Sequence, residues 1–372
     1  MKLIINTSHQ RFGGAIQVAL SFIYECRHFP ENDYHVWVGP GVAKSLNEKD
    51  FPTNFKFYYF DFGPIGFSTI KSIQQNLAPL EGKINPDIII ATSGPSYFHS
   101  QAPQVIGFNL PLYIYPESPY VKNLSFLKKL KLSAKKKIHF YYFKRDGIAF
   151  VVQTNDVNKR VKKALKTERV FTVTNTYNSF YKEPTVFRNK LPPRKEKEIR
   201  CLTISSYYGH KNLEIIPEII KNLRKQKRYG IQFILTLKEN DFKKKFGNIP
   251  EIINVGPIKP EECPSLYNEC DFMFLPTLAE CFSASYPEAM IMQKPIITTD
   301  LGFARSICGE AAEYYIPGDP KDASAKILNL ISDESRQKNL QKLGLKELKK
   351  FDSAQERAEK YLEICVNFVK TT

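Results

Sequence analysis

Several common signals are missing from this 372-residue sequence. Its seven cysteines are scattered and show no C-x-x-C spacing. Cys263 and Cys270 are the closest pair, and no histidine lies near them in sequence. That argues against a zinc site or a disulfide framework and for reduced thiols in a cytoplasmic protein. No apolar run reaches the roughly 18 residues that a membrane-spanning helix needs. The opening MKLIINTS lacks the apolar core and small-residue cleavage site of a signal peptide, so none is expected. There is no internal repeat and no low-complexity segment. No G-x-G-x-x-G fingerprint and no D-x-D metal motif stands in a suitable place, so neither a nicotinamide site nor a divalent metal is expected. Acidic residues are in deficit, 38 against 54 basic, for a net charge of +16. Such an excess favours anionic partners: nucleic acid, phosphate-bearing ligands or an acidic membrane face.

What is present is the pattern of an α/β protein. Hydrophobic and aromatic fractions of 42% and 13% are those of a folded chain, and its length predicts two domains. In the first half, short apolar runs alternate with helical patterns. Lys2–Asn6, Tyr34–Gly39, Phe55–Phe60, Asp87–Gly94, Gln104–Asn109, Ala149–Thr154 and Arg169–Asn175 read as strands. Continuous apolar runs with helices between them predict a parallel sheet covered on both faces. Tyr181–Arg200 has three prolines, much charge and little periodicity, and reads as a linker. Strand patterns then restart at Ile199–Ser206, Ile231–Leu237, Ile252–Ile258, Cys270–Pro276 and Lys294–Asp300. Lys321–Lys370 is almost wholly helical in pattern. The expected architecture is two doubly wound domains facing across a cleft, with ligands at the carboxyl ends of the strands. Residues 1–180 would form the first domain, 181–200 the linker and 201–350 the second.

The strongest chemical signal is ECFSASYPEAM, Glu280–Met290. The strand before it would deliver Glu280 to the cleft. The turn Phe282–Ser283–Ala284 would aim backbone N–H groups at a ligand, and a helix starting near Ser283–Ser285 would favour a phosphate. Glu288, about one turn in, is placed to accept from paired hydroxyls such as those of ribose. A second reading stands beside this one, because Ser285-x-x-Glu288 is also a formal capping box. In SSYYGHKNLEII, Ser205–Ile216, a strand ends at Ser205–Ser206 and Lys211 stands where the loop meets a helix. Lys211 reads either as a diphosphate ligand or as one more surface lysine. His210 reads as a packing residue or as a catalytic one. Arg11-Phe12-Gly13-Gly14-Ala15 follows the first strand, where glycine permits close approach of a ligand to the backbone.

PTLAECFSASYPEAMIMQKPIITTD, Pro276–Asp300, resembles the signature of retaining glycosyltransferases of family 4, the GT-B-fold group also called glycosyltransferase group 1. The resemblance is specific over Ser205–Asp300 and weak before residue 150. It implies that Glu280 contacts the donor sugar and that Glu288 binds the ribose hydroxyls. It also implies that the Phe282–Ala284 turn serves sugar and diphosphate, and Lys211 the diphosphate. Gly13 and Gly14 would lie near the donor phosphate and the acceptor, so Glu280, Lys211 and Gly14 form the implied catalytic set. The C-terminal helix, 351–372, would pack back toward the first domain. Two departures stand out. Many relatives have an arginine where Ser205 and Ser206 stand here, leaving only hydroxyls as substitutes. Many also have a histidine where the best register places Asn109, so Asn109 and, as an alternative, His99 are the acceptor-side candidates.

Lys122–Arg145 carries nine basic residues and no acidic one. Val121, Leu124, Leu127, Leu130, Ala134, Ile138 and Tyr141 recur at three- and four-residue steps, one stripe of a helix. This stretch, 121–145, suits either an anionic membrane surface or packing on the protein's own core.

The resemblance implies an enzyme that moves a sugar, with retention, from a nucleotide-sugar donor to a glycan or lipid-linked acceptor in cell-surface polysaccharide synthesis. The nucleotide-sugar is a substrate, and no cofactor is implied. Cytoplasmic placement, peripheral to the membrane, is expected. A non-catalytic scaffold of the same fold and a sugar-nucleotide epimerase are the alternatives. Nucleic-acid binding is disfavoured, because the basic residues cluster on one helix and no nucleic-acid module is present.

Overall fold

The protein is represented by a computed structural model, which describes residues 1–11 and 13–369. Phe12, within the Gly-Gly element, lies outside the described residues. Contacts divide the chain into two compact units, the first comprising 1–114, 125–175 and 352 onward, and the second 115–124 and 176–351.

The first unit holds seven strands: β1 (Lys2–Asn6), β2 (Asp33–Val38), β3 (Phe55–Tyr59), β4 (Ile88–Ala91), β5 (Gln104–Gly107), β6 (Ala149–Val152) and β7 (Val170–Thr172). All pair in parallel, in the order β3-β2-β1-β4-β5-β6-β7. β4, β5 and β6 are buried along their whole length, as β-branched runs covered on both faces must be. Edge strand β3 is exposed at Lys56 and Tyr59, so one long side of it meets water.

The second unit holds β8 (Ile199–Thr203), β9 (Ile231–Leu235), β10 (Ile252–Asn254), β11 (Phe272–Leu275), β12 (Ile296–Thr299) and β13 (Ala312–Tyr315). They are also parallel, in the order β10-β9-β8-β11-β12-β13. In each sheet the winding reverses once, between β1 and β4 and between β8 and β11. Such a switch point opens a crevice at the carboxyl ends of the two strands. The helix Ile215–Lys225 buries Ile215, Ile216, Ile219, Ile220 and Leu223 against the second sheet, at helical three- and four-residue steps. Each such side chain contributes roughly 1.5–3 kcal/mol when fully buried.

Several segments differ from the sequence reading. β13 was not anticipated, because its two central residues are only half-buried and its apolar run is short. Lys321–Lys370 resolves into three helices, Pro320–Ser332, Glu334–Leu348 and Ala354–Val369. Asp333 separates the first two, its side chain accepting from the Arg336 amide at 2.8 Å. The last helix contributes Ala358, Tyr361, Leu362 and Cys365 to the core of the first unit. Buried Arg357 anchors it there, donating to Asn175 and, at 2.6 Å, to Ser21. The basic stretch is two helices, Pro119–Lys122 and Phe126–Asp146, broken at Asn123–Ser125. Val121 and Leu124 therefore do not continue the stripe of the longer helix. Tyr115–Leu124 groups with the second unit: Tyr115 packs edge-on against Phe303 at 6.0 Å.

Candidate functional site

In the second unit the candidate residues lie on the two loops that leave β8 and β11, the strands flanking its switch point. After β8 the chain runs to a single 3₁₀ turn, Gly209–Lys211. Asn212 ends the turn in the left-handed region at φ 54°, and Leu213 is buried beneath it. The Leu278 amide donates to the His210 carbonyl at 2.8 Å, joining the β11 loop to the β8 loop. Ser118 adds a third strand of the weave, its hydroxyl donating to the Leu278 carbonyl at 2.7 Å in a buried bond. Tyr120 lies against Gly209, where a Cβ would sit 2.9 Å from its hydroxyl oxygen, so a side chain there would require the Tyr120 ring to shift.

This weave brings Lys211 and Glu280 into a direct ion pair between the ammonium and carboxylate Oε1. Both side chains are largely buried, at 14% and 10% exposure. The Thr277 hydroxyl also donates to Oε1, at 2.9 Å. Among the described residues Oε2 accepts no hydrogen bond, and the other N–H groups of the Lys211 ammonium have no partner. The pair is thus fixed on one side and has spare capacity on the other. Lys211 is accordingly not an idle surface lysine. The His210 ring is stacked on Tyr208 at 5.7 Å and meets Tyr120 edge-on at 6.1 Å. Burial lowers its pKa, opposed by the nearby Glu280 carboxylate.

The turn after Glu280 leaves the backbone N–H groups of Phe282, Ser283 and Ala284 without an acceptor among the described residues. The Phe282 ring packs edge-on against Phe351 at 6.0 Å. The capping-box reading of Ser285-x-x-Glu288 is overturned. Ser285 is the first residue of the helix Ser285–Ile291, the N-cap is Ala284, and no side chain caps it. Ser285 sits one position too late to be the cap, so the Glu288 carboxyl is not held as a capping partner. Glu288 is half-buried. Burial pushes its carboxyl up to about 7, opposed by the hydroxyls of Tyr181 and Tyr267.

Ser205 and Ser206, in the place of the absent arginine, are not equivalent. The Ser205 hydroxyl is spent on the Ser206 carbonyl at 2.8 Å, whereas Ser206 is exposed and its hydroxyl has no partner among the described residues.

The remaining candidates belong to the first unit. Gly13 takes φ 93° and ψ 178°, a conformation open essentially to glycine alone, and caps the helix Gly14–Glu25. A Cβ on Gly14 would meet nothing within 4 Å, so that helix start is open. Asn109 follows β5 by two residues and is half-buried. His99 lies elsewhere. Its backbone is tied to Gln74, and its ring stands 3.7 Å from Asp146, just before β6 begins. That is the amino-terminal edge of the sheet, opposite to the carboxyl ends where a ligand is expected, so the geometry argues against His99.

His9 was not singled out from the sequence. Its Nε2 stands 2.9 Å from the Ser93 carbonyl. A carbonyl only accepts, so Nε2 carries the proton and Nδ1 is a bare acceptor, buried without a partner. Burial holds this histidine down at about 4, opposed by the bond to Ser93.

Among the described residues no group of three or more His, Cys, Asp or Glu is arranged to hold a metal, and no helix is long and apolar enough to cross a membrane.

Comparison with known proteins places this geometry. Residues 198–333 match the family described as Glycosyl transferases group 1. An uncharacterized glycosyltransferase of Methanocaldococcus jannaschii is 27% identical over 152 residues, 40% of this chain and 43% of that protein's length. A glycosyltransferase structure from Rickettsia africae matches with a TM-score of 0.71 at 15% identity, covering 100% of this chain and 99% of its own. Anabaena HepE, solved in complex with UDP-glucose, matches with a TM-score of 0.70 at 14% identity, covering 98% of this chain and 99% of its own. The fold is the GT-B architecture, built from two Rossmann-like α/β units.

Proposed function

We propose that this chain is a retaining glycosyltransferase using a nucleotide-sugar donor, a reading supported by the match of residues 198–333 to the group 1 glycosyl transferases and by the GT-B fold. The observation that carries the reading is the Lys211–Glu280 pair on the two loops of the second sheet's switch point. Glu280 Oε2 is available to a sugar hydroxyl. The spare Lys211 N–H groups and the Phe282–Ala284 amides are available to diphosphate oxygens. Glu288 takes the ribose hydroxyls, and the Ser206 hydroxyl supplies one weaker donor where relatives carry arginine.

The acceptor hydroxyl attacks the anomeric carbon on the face from which the nucleotide departs. A new C–O bond forms as the bond to the phosphate oxygen breaks, and the leaving diphosphate takes the acceptor's proton. No protein nucleophile is needed. The protein's contribution is positioning and stabilisation of the charge growing on the diphosphate. On the second unit the catalytic residues are Glu280 and Lys211, and on the first the candidate is the open helix start at Gly14. Asn109 is the acceptor-side residue, holding a hydroxyl rather than shuttling a proton. The absence of a D-x-D motif supports turnover without a divalent metal.

The acceptor is a glycan or lipid-linked hydroxyl, in cell-surface polysaccharide synthesis on the cytoplasmic face of a membrane. The helix Phe126–Asp146 supports this. Phe126, Leu127, Leu130, Ile138 and Tyr141 are 78%, 75%, 59%, 46% and 60% exposed, among lysines that are also largely exposed. Own-core packing accounts only for its last turns, where Tyr142, Phe143 and Asp146 are buried.

The test is release of nucleoside diphosphate from a panel of UDP-, GDP- and ADP-sugars, with and without chelator. Turnover with one donor, unchanged by chelator, supports the reading. Tight nucleotide binding without turnover would make the chain a scaffold.

A further inference from the structure

Three consecutive backbone groups fix the turn that leads to Glu280, and each has a different partner. The Thr277 carbonyl accepts from the Thr299 hydroxyl at 2.7 Å. The Leu278 amide donates at 2.8 Å to the carbonyl of His210, the residue before Lys211. The Leu278 carbonyl accepts from the Ser118 hydroxyl at 2.7 Å. That last bond is buried, so losing it leaves an acceptor unmet. Its donor comes from Tyr115–Leu124, a segment of the first half of the sequence that packs with the second unit. The Ser118 hydroxyl also accepts from the Tyr120 amide at 3.2 Å, capping the helix Pro119–Lys122. A serine hydroxyl has one proton to give, and here it goes to Leu278. Two residues on, the Tyr120 ring meets His210 edge-on at 6.1 Å, and His210 is stacked in turn on Tyr208 at 5.7 Å. Ser118 thus reaches the turn before Glu280, and Tyr120 the turn that ends in Lys211.

We propose that Ser118 and Tyr120 are positioning residues for the Lys211–Glu280 pair. One short segment pins both loops, Ser118 through the Leu278 carbonyl and Tyr120 through the His210 ring. In this role neither touches the donor; together they set where the ammonium and the carboxylate stand. Stabilising the charge that grows on a diphosphate depends on groups already in place. Displacing either loop therefore slows the chemical step more than it loosens the grip on the nucleotide. Docking of the segment does not by itself call for the hydroxyl, since the Tyr115 ring already packs edge-on against Phe303 at 6.0 Å. This inference rests on the donor-site reading of Lys211 and Glu280.

The experiment compares the wild type with Ser118→Ala, Ser118→Thr, Tyr120→Ala and Tyr120→Phe, at a temperature where circular dichroism shows each of them folded. Two quantities are read: release of nucleoside diphosphate from UDP-, GDP- and ADP-sugars, and amide hydrogen exchange over 207–214 and 276–284. Ser118→Ala and Tyr120→Ala should lower kcat by about tenfold or more, while the donor KM stays within about threefold of wild type. Exchange over both segments should quicken by about tenfold. Ser118→Thr keeps the hydroxyl and Tyr120→Phe keeps the ring, so both should stay near wild type in rate and exchange. If exchange quickens in the alanine variants while kcat holds, the two residues are structural only and the proposal is overturned. Unchanged exchange in both alanine variants overturns it as well. If the wild type turns over none of the sugars, the donor-site reading fails; faster exchange at both segments in the alanine variants alone would then still uphold the positioning of the pair.

Discussion

Lys211 and Glu280 stand on different loops, 69 residues apart in sequence, and meet as an ion pair that is almost closed off from water. Fold and chemistry touch at this pair. The lysine follows β8 and the glutamate follows β11, the neighbours between which the second sheet reverses its winding. A buried pair contributes little net stability, because desolvation offsets attraction. Its retention on two loops is better explained by use.

Breaking the pair one side at a time should be costly. Glu280→Gln or Lys211→Met leaves a buried charge uncompensated and should destabilise the second unit by about 3–5 kcal/mol. The double variant should recover most of that loss. Denaturant unfolding of the four proteins closes the cycle. Additive losses would mean that the two groups do not interact.

Acid should act in opposite directions around two histidines of the first unit and around Glu288 of the second. In the first, burial holds His9 and His139 at about 4, below their ordinary 6.5. Groups with lowered pKa stabilise above the unfolded value, and that contribution is lost as pH falls from 6.5 toward 4, at up to roughly 1.4 kcal/mol per pH unit for each histidine. Glu288, raised from 4.5 to about 7, works the other way. Its contribution is complete below pH 4.5 and disappears as pH rises through 7. Hydrogen exchange between pH 4 and 8 should show amides near His9 and His139 losing protection on acidification and amides near Glu288 gaining it.

How much of this was readable in the sequence depended on the range of the interactions. The strands announced themselves, since a parallel sheet covered on both faces needs continuous apolar runs, and Ile88–Ala91 or Ala149–Val152 can be little else. Glu280, Lys211 and the amide turn between the glutamates were readable because they lie on one contiguous signature and one loop. The capping box misled because it is a local pattern, and a shift of one residue put Ser285 inside the helix. Ser118 and Tyr120 gave no signal. Their roles come from contacts with Leu278 and Gly209, which lie 160 and 89 positions away. His99 was misplaced because sequence distance from a strand does not say which end of the sheet a long loop returns to.

Gly13 offers a backbone test. Its φ of 93° with ψ 178° strains any residue with a Cβ. Gly13→Ala should cost on the order of 1–3 kcal/mol. Gly14→Ala should leave stability nearly unchanged, since space beyond Gly14 is open. Thermal unfolding of both variants checks this.

The helix Phe126–Asp146 should hold the chain on anionic vesicles and not on neutral ones. Each lysine near such a surface adds roughly 1 kcal/mol, and salt screens it. Sedimentation with phosphatidylserine vesicles should fall as salt rises and nearly vanish in Leu127→Glu/Leu130→Glu, whose sites are exposed and should not disturb folding. Equal sedimentation of that variant would remove the helix from the membrane.

The central claim is that the Lys211–Glu280 pair receives the sugar and diphosphate of a nucleotide-sugar. The most direct measurement is nucleoside diphosphate release, with the donor that the wild type turns over, by wild type, Lys211→Ala and Glu280→Gln, each checked for folding. Loss of turnover by about 100-fold or more in both variants is the expected result, in line with the removal of a group that meets developing charge. Folded variants that turn over at the wild-type rate would contradict it.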